Sequence, residues 1–202
     1  MDRKRKYAIY GGSFDPLHIG HLALAESAVK QCGIDKLIFM PAYMSPFKQD
    51  RKVTAGVDRC GMIEAVLGMN KAFCLSRYEI NKGGPSYTIE TLRHWSGMLD
   101  GKLSFVLGFD SVVQLDTWYE GKEILRNYPL ITCARPDTDT DEGMQRVEYF
   151  REKYGADITV LDKDPVDASS TEIRQLVSEG KSIKGMVPEG VEEYIIEHKL
   201  YR

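Results

Sequence analysis

Apolar residues along this chain follow two alternating rhythms. Short runs rich in β-branched and aromatic residues, at 7–10 (YAIY), 36–41 (KLIFMP), 73–80 (FCLSRYEI), 103–108 (LSFVLG), 129–135 (PLITCAR) and 158–162 (ITVLD), read as strands. Between them the apolar positions recur at helical spacing. This predicts helices over 21–32, where Gly33 closes the run, over 58–69, 86–95, 119–126 and 143–153, and over 170–180 and 188–200 in the tail. Strand and helix in alternation predict an α/β protein, a doubly wound parallel sheet covered by helices on both faces, with a helical C-terminal end. Such sheets bind ligands beyond the carboxyl ends of their strands. Gly11 follows the first strand, Pro41 to Lys48 the second and Gly108 to Trp118 the fourth, and Arg135 ends the fifth.

Composition narrows the classes. With 202 residues, 43% of them hydrophobic, one well-buried core and a single domain are expected. A net charge of −3 gives no reason to expect nucleic acid as a partner, and the one basic run, Arg3 to Lys6, reads as a solvated lead-in to the first strand. Cys32, Cys60, Cys74 and Cys133 are dispersed without C-x-x-C spacing, so neither zinc nor a disulfide framework is indicated. Reduced thiols, the lack of a signal-peptide core and the lack of a window near the ~20 apolar residues of a membrane span all fit a cytoplasmic protein without a membrane partner.

The first strand runs into GGSFDPLHIGH, residues 11–21. Paired glycines let backbone approach a ligand, and the N–H groups of a strand-to-helix turn make an anion site. If His18 and His21 both lie on the first helical turn, they stand about 60° apart around the axis; both imidazoles then reach one ligand, and Gly20 leaves room for it. The spacing matches neither G-x-G-x-x-G nor G-x-x-x-x-G-K. Taken singly, each histidine could equally be a surface residue beside a glycine turn. SSTEIR at 169–174, taken alone, is an ordinary helix N-cap.

Together and in this order, the two stretches resemble the paired signatures of the nucleotidylyltransferase superfamily, whose H-x-G-H occurs in adenylyltransferases, cytidylyltransferases and class I aminoacyl-tRNA synthetases. MPAYMSPFK (40–48), GGPSYTIETL (83–92), LGFDSVVQLDTWYE (107–120), CARPD (133–137) and VPEGVEEYIIEHKLY (187–201) are similar to the bacterial nicotinate-nucleotide adenylyltransferases. The resemblance covers essentially the whole chain. It implies a Rossmann-like nucleotidylyltransferase fold in one domain, 1–202, whose helical part from about 165 to 202 carries the second signature. It also implies transfer of AMP from ATP to nicotinate mononucleotide, with release of pyrophosphate, in NAD biosynthesis.

That reaction needs no general base, because the attacking phosphate oxygen is already ionised. Its transition state gathers negative charge, which cations and N–H donors must meet. By resemblance His18, His21 and Arg174 are the catalytic residues, with His21 nearest the transferring phosphorus. The ATP set adds Gly11, Gly12, Ser13, Phe14, Gly20, Ser170 and Thr171, with Gly108 giving space to adenosine and Asp110 accepting from a ribose. The nicotinate mononucleotide set is Lys48, Arg135, Trp118, whose indole face suits a pyridinium, and Tyr87 and Thr88, whose N–H groups open a helix and suit a carboxylate. Ala42 stands where this family often carries Asn or Ser and receives no role.

Mg²⁺ is the expected cofactor, held mainly by ATP phosphates, and no protein ligand is named. The nearest alternative is an adenylyltransferase for another phosphate acceptor, nicotinamide mononucleotide or phosphopantetheine. A nucleotide sensor without chemistry is a more distant one, and a short acidic chain without a Lys-Met-Ser-Lys-Ser-like loop is a poor synthetase. A homo-oligomer is left open.

Overall fold

The computed structural model describes residues 3–46, 53–133, 140–162, 166 and 168–202. Among them, six strands form one sheet: β1 (Arg5–Gly12), β2 (Lys36–Pro41), β3 (Phe73–Leu75), β4 (Gly101–Val106), β5 (Leu130–Cys133) and β6 (Ile158–Leu161). Their spatial order is β3-β2-β1-β4-β5-β6, and every neighbouring pair is parallel.

The strand sequences read as continuous apolar runs because both faces of the sheet are buried. Ala8 and Tyr10 of β1 enter one core while Ile9 enters the other; Leu37 and Phe39 of β2 likewise part from Ile38 and Met40. The Tyr10 face is covered by α1 (Ile19–Cys32), α2 (Gly56–Leu67), α8 (Ser170–Ser178) and α9 (Glu189–Glu197). The Ile9 face is covered by α4 (Thr88–Met98), α5 (Phe109–Val112), α6 (Gly121–Asn127) and α7 (Thr140–Tyr154). The expected doubly wound α/β architecture is therefore present. Gly33 ends α1 in the left-handed conformation (φ 63°), its N–H donating to the Val29 carbonyl.

The run 73–80 is not one strand. β3 stops at Leu75, and the chain turns into a short helix, α3 (Tyr78–Lys82), whose Tyr78 N–H donates to Ser76 Oγ at 3.1 Å. A serine hydroxyl that offers the backbone a local acceptor competes with the sheet ladder here, at an edge where the ladder has only one neighbour. Two further short elements have no periodicity to announce them, α5 and a 3₁₀ turn at Leu115–Thr117. The second forces a glycine: a Cβ on Gly121 would lie 1.7 Å from the Leu115 carbonyl oxygen. Among the described residues no helix is long and apolar enough to cross a membrane.

The chain runs outward in one direction from β1 to β2 and β3, and in the other from β4 to β5 and β6. The direction of winding reverses between β1 and β4, so a crevice opens beyond their carboxyl ends.

Candidate active site

β1 delivers Gly11 and Gly12 to that crevice. Each is crowded on its side-chain side: a Cβ on Gly11 would lie 2.9 Å from the Phe105 ring and one on Gly12 2.9 Å from the Phe14 ring. Phe14 itself has φ 49°, a conformation that costs an L-residue roughly 1–2 kcal/mol. Its buried ring holds it there, with centroids 5.2 Å from Tyr10, 5.7 Å from Phe39 and 5.2 Å from His21. The ring is thus a wedge that fixes the turn, and its contacts tie the turn to the sheet.

His18 does not lie on the first helical turn. It is the residue that caps α1, in an extended conformation (φ −134°, ψ 173°). Its backbone N–H donates to Nδ1 of His21 at 3.2 Å, and the two rings lie 3.7 Å apart. His18 is buried, 3% exposed, while His21 is half-buried. The expected proximity of the two imidazoles holds, but through a cap and not a shared helical face. The His18 ring stands close over Gly20, where a Cβ would meet His18 Cε1 at 3.0 Å and Nδ1 at 3.1 Å.

The second signature packs onto this turn. Ser170 Oγ donates to the Pro16 carbonyl at 3.0 Å, and Arg174 donates through Nη1 to the Asp15 carbonyl at 2.5 Å and through Nη2 to Thr171 Oγ1 at 3.2 Å. Between the two stretches lies a cleft of about 100 Å³ lined by Ser13, Phe14, Asp15, His21, Val53, Ser170, Thr171 and Arg174. Guanidinium, imidazole and hydroxyl groups at a helix start are the donors that an anion requires.

A second, larger cavity of about 320 Å³ lies beyond the ends of β1 and β4, and Ser13 lines both spaces. Its floor includes Gly11, Gly12 and Gly108, and Asp110, Tyr87, Thr88 and Trp118 stand around it. The loop after β2 closes over it: Tyr43 N–H donates to Ser86 Oγ at 2.9 Å and Ser86 N–H to the Met44 carbonyl at 2.8 Å. Tyr87 caps α4 and Thr88 begins it, so the positive end of that helix borders the cavity. The Tyr87 and Tyr119 rings lie 4.6 Å apart.

One wall residue is a carboxylic acid that sequence reasoning missed. Glu79 is 8% exposed and accepts from Thr91 Oγ1 at 2.6 Å. Burial pushes its carboxyl above the usual glutamate range, against the pull of hydrogen bonds from Thr91 and Ser86 and of the Lys82 charge.

A family model for cytidylyltransferase-like proteins matches residues 9–176. A protein of Caldicellulosiruptor bescii described as a probable nicotinate-nucleotide adenylyltransferase is 38% identical over 98% of this chain and 99% of its own length. One of the same description from Clostridium botulinum strain Alaska E43 is 35% identical over 98% of each. The chain belongs to the nicotinate-nucleotide adenylyltransferase family. Nicotinic acid mononucleotide adenylyltransferase of Plasmodium falciparum complexed with NaAD superposes with a TM-score of 0.81 at 19% identity, covering 98% of this chain and 97% of that one. The same enzyme complexed with APC superposes at 0.75 and 20% identity, with the same coverage. At such identity the likeness carries the fold, a nucleotidylyltransferase one.

For this adenylyltransferase family member the expected site residues sort by place. Ser13, Phe14, His21, Ser170, Thr171 and Arg174 meet at the small cleft, and Gly11, Gly12, Gly108, Asp110, Tyr87, Thr88 and Trp118 meet at the cavity. Gly11, Gly12, Gly108 and Asp110 of the expected ATP set thus share one cavity with Tyr87, Thr88 and Trp118 of the expected mononucleotide set. His18 and Gly20 line neither of these two spaces. Lys48 and Arg135 lie outside the described residues. Glu79, Thr91, Gln114 and Tyr119 are added to the cavity wall.

Proposed function

We propose that the chain transfers AMP from ATP to nicotinate mononucleotide, giving nicotinate adenine dinucleotide and pyrophosphate in NAD biosynthesis. Family membership supports the reaction. The observation that carries the assignment of the site is that the two signatures meet at an anion cleft which shares Ser13 with a cavity at the reversal of the sheet. One space suits a triphosphate and the other a flat ring with a carboxylate, side by side, as an in-line transfer requires.

The acceptor's phosphate oxygen attacks the α-phosphorus, the bond to the bridging oxygen of the pyrophosphate breaks, and the charge on the leaving group is met by donors already in place. His21 donates through Nε2 near the reacting phosphorus. Arg174, Thr171 and the first N–H groups of α8 face the leaving phosphates. Mg²⁺ is proposed to arrive with the triphosphate, held largely by phosphate oxygens and water. Among the described residues no three His, Cys, Asp or Glu side chains are grouped to hold an ion, and the donors lining the cleft are ones for anions. Trp118 stacks on the pyridinium, and the start of α4 at Tyr87 and Thr88 takes the nicotinate carboxylate. A cytoplasmic setting, where both nucleotides are made and used, is part of the proposal.

The test is pyrophosphate release from Mg²⁺–ATP with nicotinate mononucleotide and, separately, with nicotinamide mononucleotide. Faster release with the acid is expected, because the amide loses the charge-assisted contact at α4. Equal rates would remove the acid preference, and no release with either would remove adenylyl transfer.

A further inference from the structure

Asp15 lies in the phosphate turn, 6% exposed, and each of its carboxylate oxygens accepts a hydrogen bond from outside the turn. Tyr201, beyond α9, donates its hydroxyl to Asp15 Oδ1 at 2.8 Å, and Thr54 donates its backbone N–H to Oδ2 at 3.3 Å. Beside them Arg59 of α2, 2% exposed, donates through Nη1 to the Ser13 carbonyl at 2.8 Å and through Nε to the Thr54 carbonyl at 2.9 Å. Arg174 takes the Asp15 carbonyl, and Asp15, Ser13 and Arg174 line the anion cleft. The turn that carries Ser13 and Phe14 is therefore held by three separate elements, and the longest reach is made by a single phenol.

We infer that Tyr201 is a positioning residue for adenylyl transfer: through its hydrogen bond to Asp15 it fixes the backbone of the phosphate turn, so that Ser13 and His21 meet the triphosphate in one geometry. The inference rests on the proposed function for its kinetic half only. Burial and the Asp15 charge push the phenol well above its usual range, so it stays a donor across any working pH. The hydroxyl lies 2.8 Å from Asp15 Oδ1 and 3.9 Å from Met62 Sδ, and loss of the first bond would leave a buried carboxylate oxygen short of a partner, a change felt by the turn before the sheet. A displacement of about 1 Å at such a turn is enough to slow the chemistry on the order of a hundredfold.

Tyr201→Phe removes the hydroxyl and keeps the ring. The matched control is Tyr194→Phe. Tyr194 is also a phenol bonded to a carboxylate, Asp58 Oδ1 at 3.3 Å, but it contacts α2 away from the turn. Two readouts are taken on the full chain: amide hydrogen exchange of the 11–18 segment measured by mass spectrometry, and kcat and KM for ATP and nicotinate mononucleotide. The expected result is faster exchange of 11–18 and a fall of about 10-fold or more in kcat/KM for ATP in Tyr201→Phe, with KM for the mononucleotide unchanged and Tyr194→Phe like the parent in both. Tyr201→Phe with parental exchange at 11–18, or with altered exchange but parental kcat and KM, would overturn the inference, as would an equal loss in Tyr194→Phe. A parent chain that releases no pyrophosphate would count against the proposed function alone, and the exchange of 11–18 would then decide the inference.

Discussion

The backbone N–H of His18 donates to Nδ1 of His21 at 3.2 Å. With that nitrogen an acceptor, neutral His21 carries its proton on Nε2, and the ring presents one donor whose orientation is set by a helix cap. His21→Ala is expected to lower kcat for pyrophosphate release about 10²–10³-fold, the usual cost of a lost donor to a charged transition state. The melting temperature should fall by roughly 2–4 °C, because the substitution also removes the capping bond at the start of α1, worth about 1 kcal/mol.

Gly20→Ala separates stability from activity. Alanine favours a helix over glycine by ~1 kcal/mol, yet the new methyl would stand 3.0 Å from the His18 ring. Calorimetry is expected to show melting close to the parent, the two effects offsetting, while kcat falls because the His18–His21 pair is displaced. An active Gly20→Ala would show that the His18 ring can move without consequence.

Trp118→Ala is expected to raise KM for nicotinate mononucleotide without raising KM for ATP. The loss of a cation–π partner is worth roughly 0.5–2 kcal/mol, or about 2- to 30-fold. Trp118→Phe should retain part of that contact. Initial rates at saturating ATP measure both.

Glu79 gives a pH signature. Its carboxyl is held above the ordinary value of 4.5 in the folded protein, so the native state keeps this proton when the unfolded chain has released it. The stability it contributes is complete below 4.5 and is lost as pH rises from there through its folded value. Glu79→Gln, which can still accept from Thr91, should therefore gain stability relative to the parent as pH rises from that point, by at most about 1.4 kcal/mol per pH unit. Urea unfolding of both proteins between acid and neutral pH is the measurement, and parallel stability curves would refute it.

Much of this fold was legible because of where the sheet sits. Strands buried on both faces leave unbroken apolar runs, so β2 appears in the sequence with its observed bounds, 36–41. The edge strand β3 makes a single pairing of three residues and leaves no such trace, which is why 73–80 reads as longer than it is. In the site, the phosphate motifs were visible as residue types in order. Their neighbours were not, because they come from distant chain: Phe105 crowds Gly11, and Arg59, buried under the turn, reads as a solvent residue on a helix. Spacing alone places His18 and His21 near one another but cannot tell a cap from a first turn. Glu79 was missed for a related reason, since an acid flanked by Tyr78 and Ile80 looks like the wet face of a strand.

The bonds that close the phosphate cleft join residues 154, 159 and 186 positions apart. On the ribosome, β1 and the histidines emerge early, but the triphosphate has no complete seat until α8 and then Tyr201 have been synthesised and have docked. Under the proposed function, nucleotide affinity is expected only after that docking. In a refolding experiment the return of ATP binding would time the arrival of the final segment, later than the appearance of sheet or helix in circular dichroism.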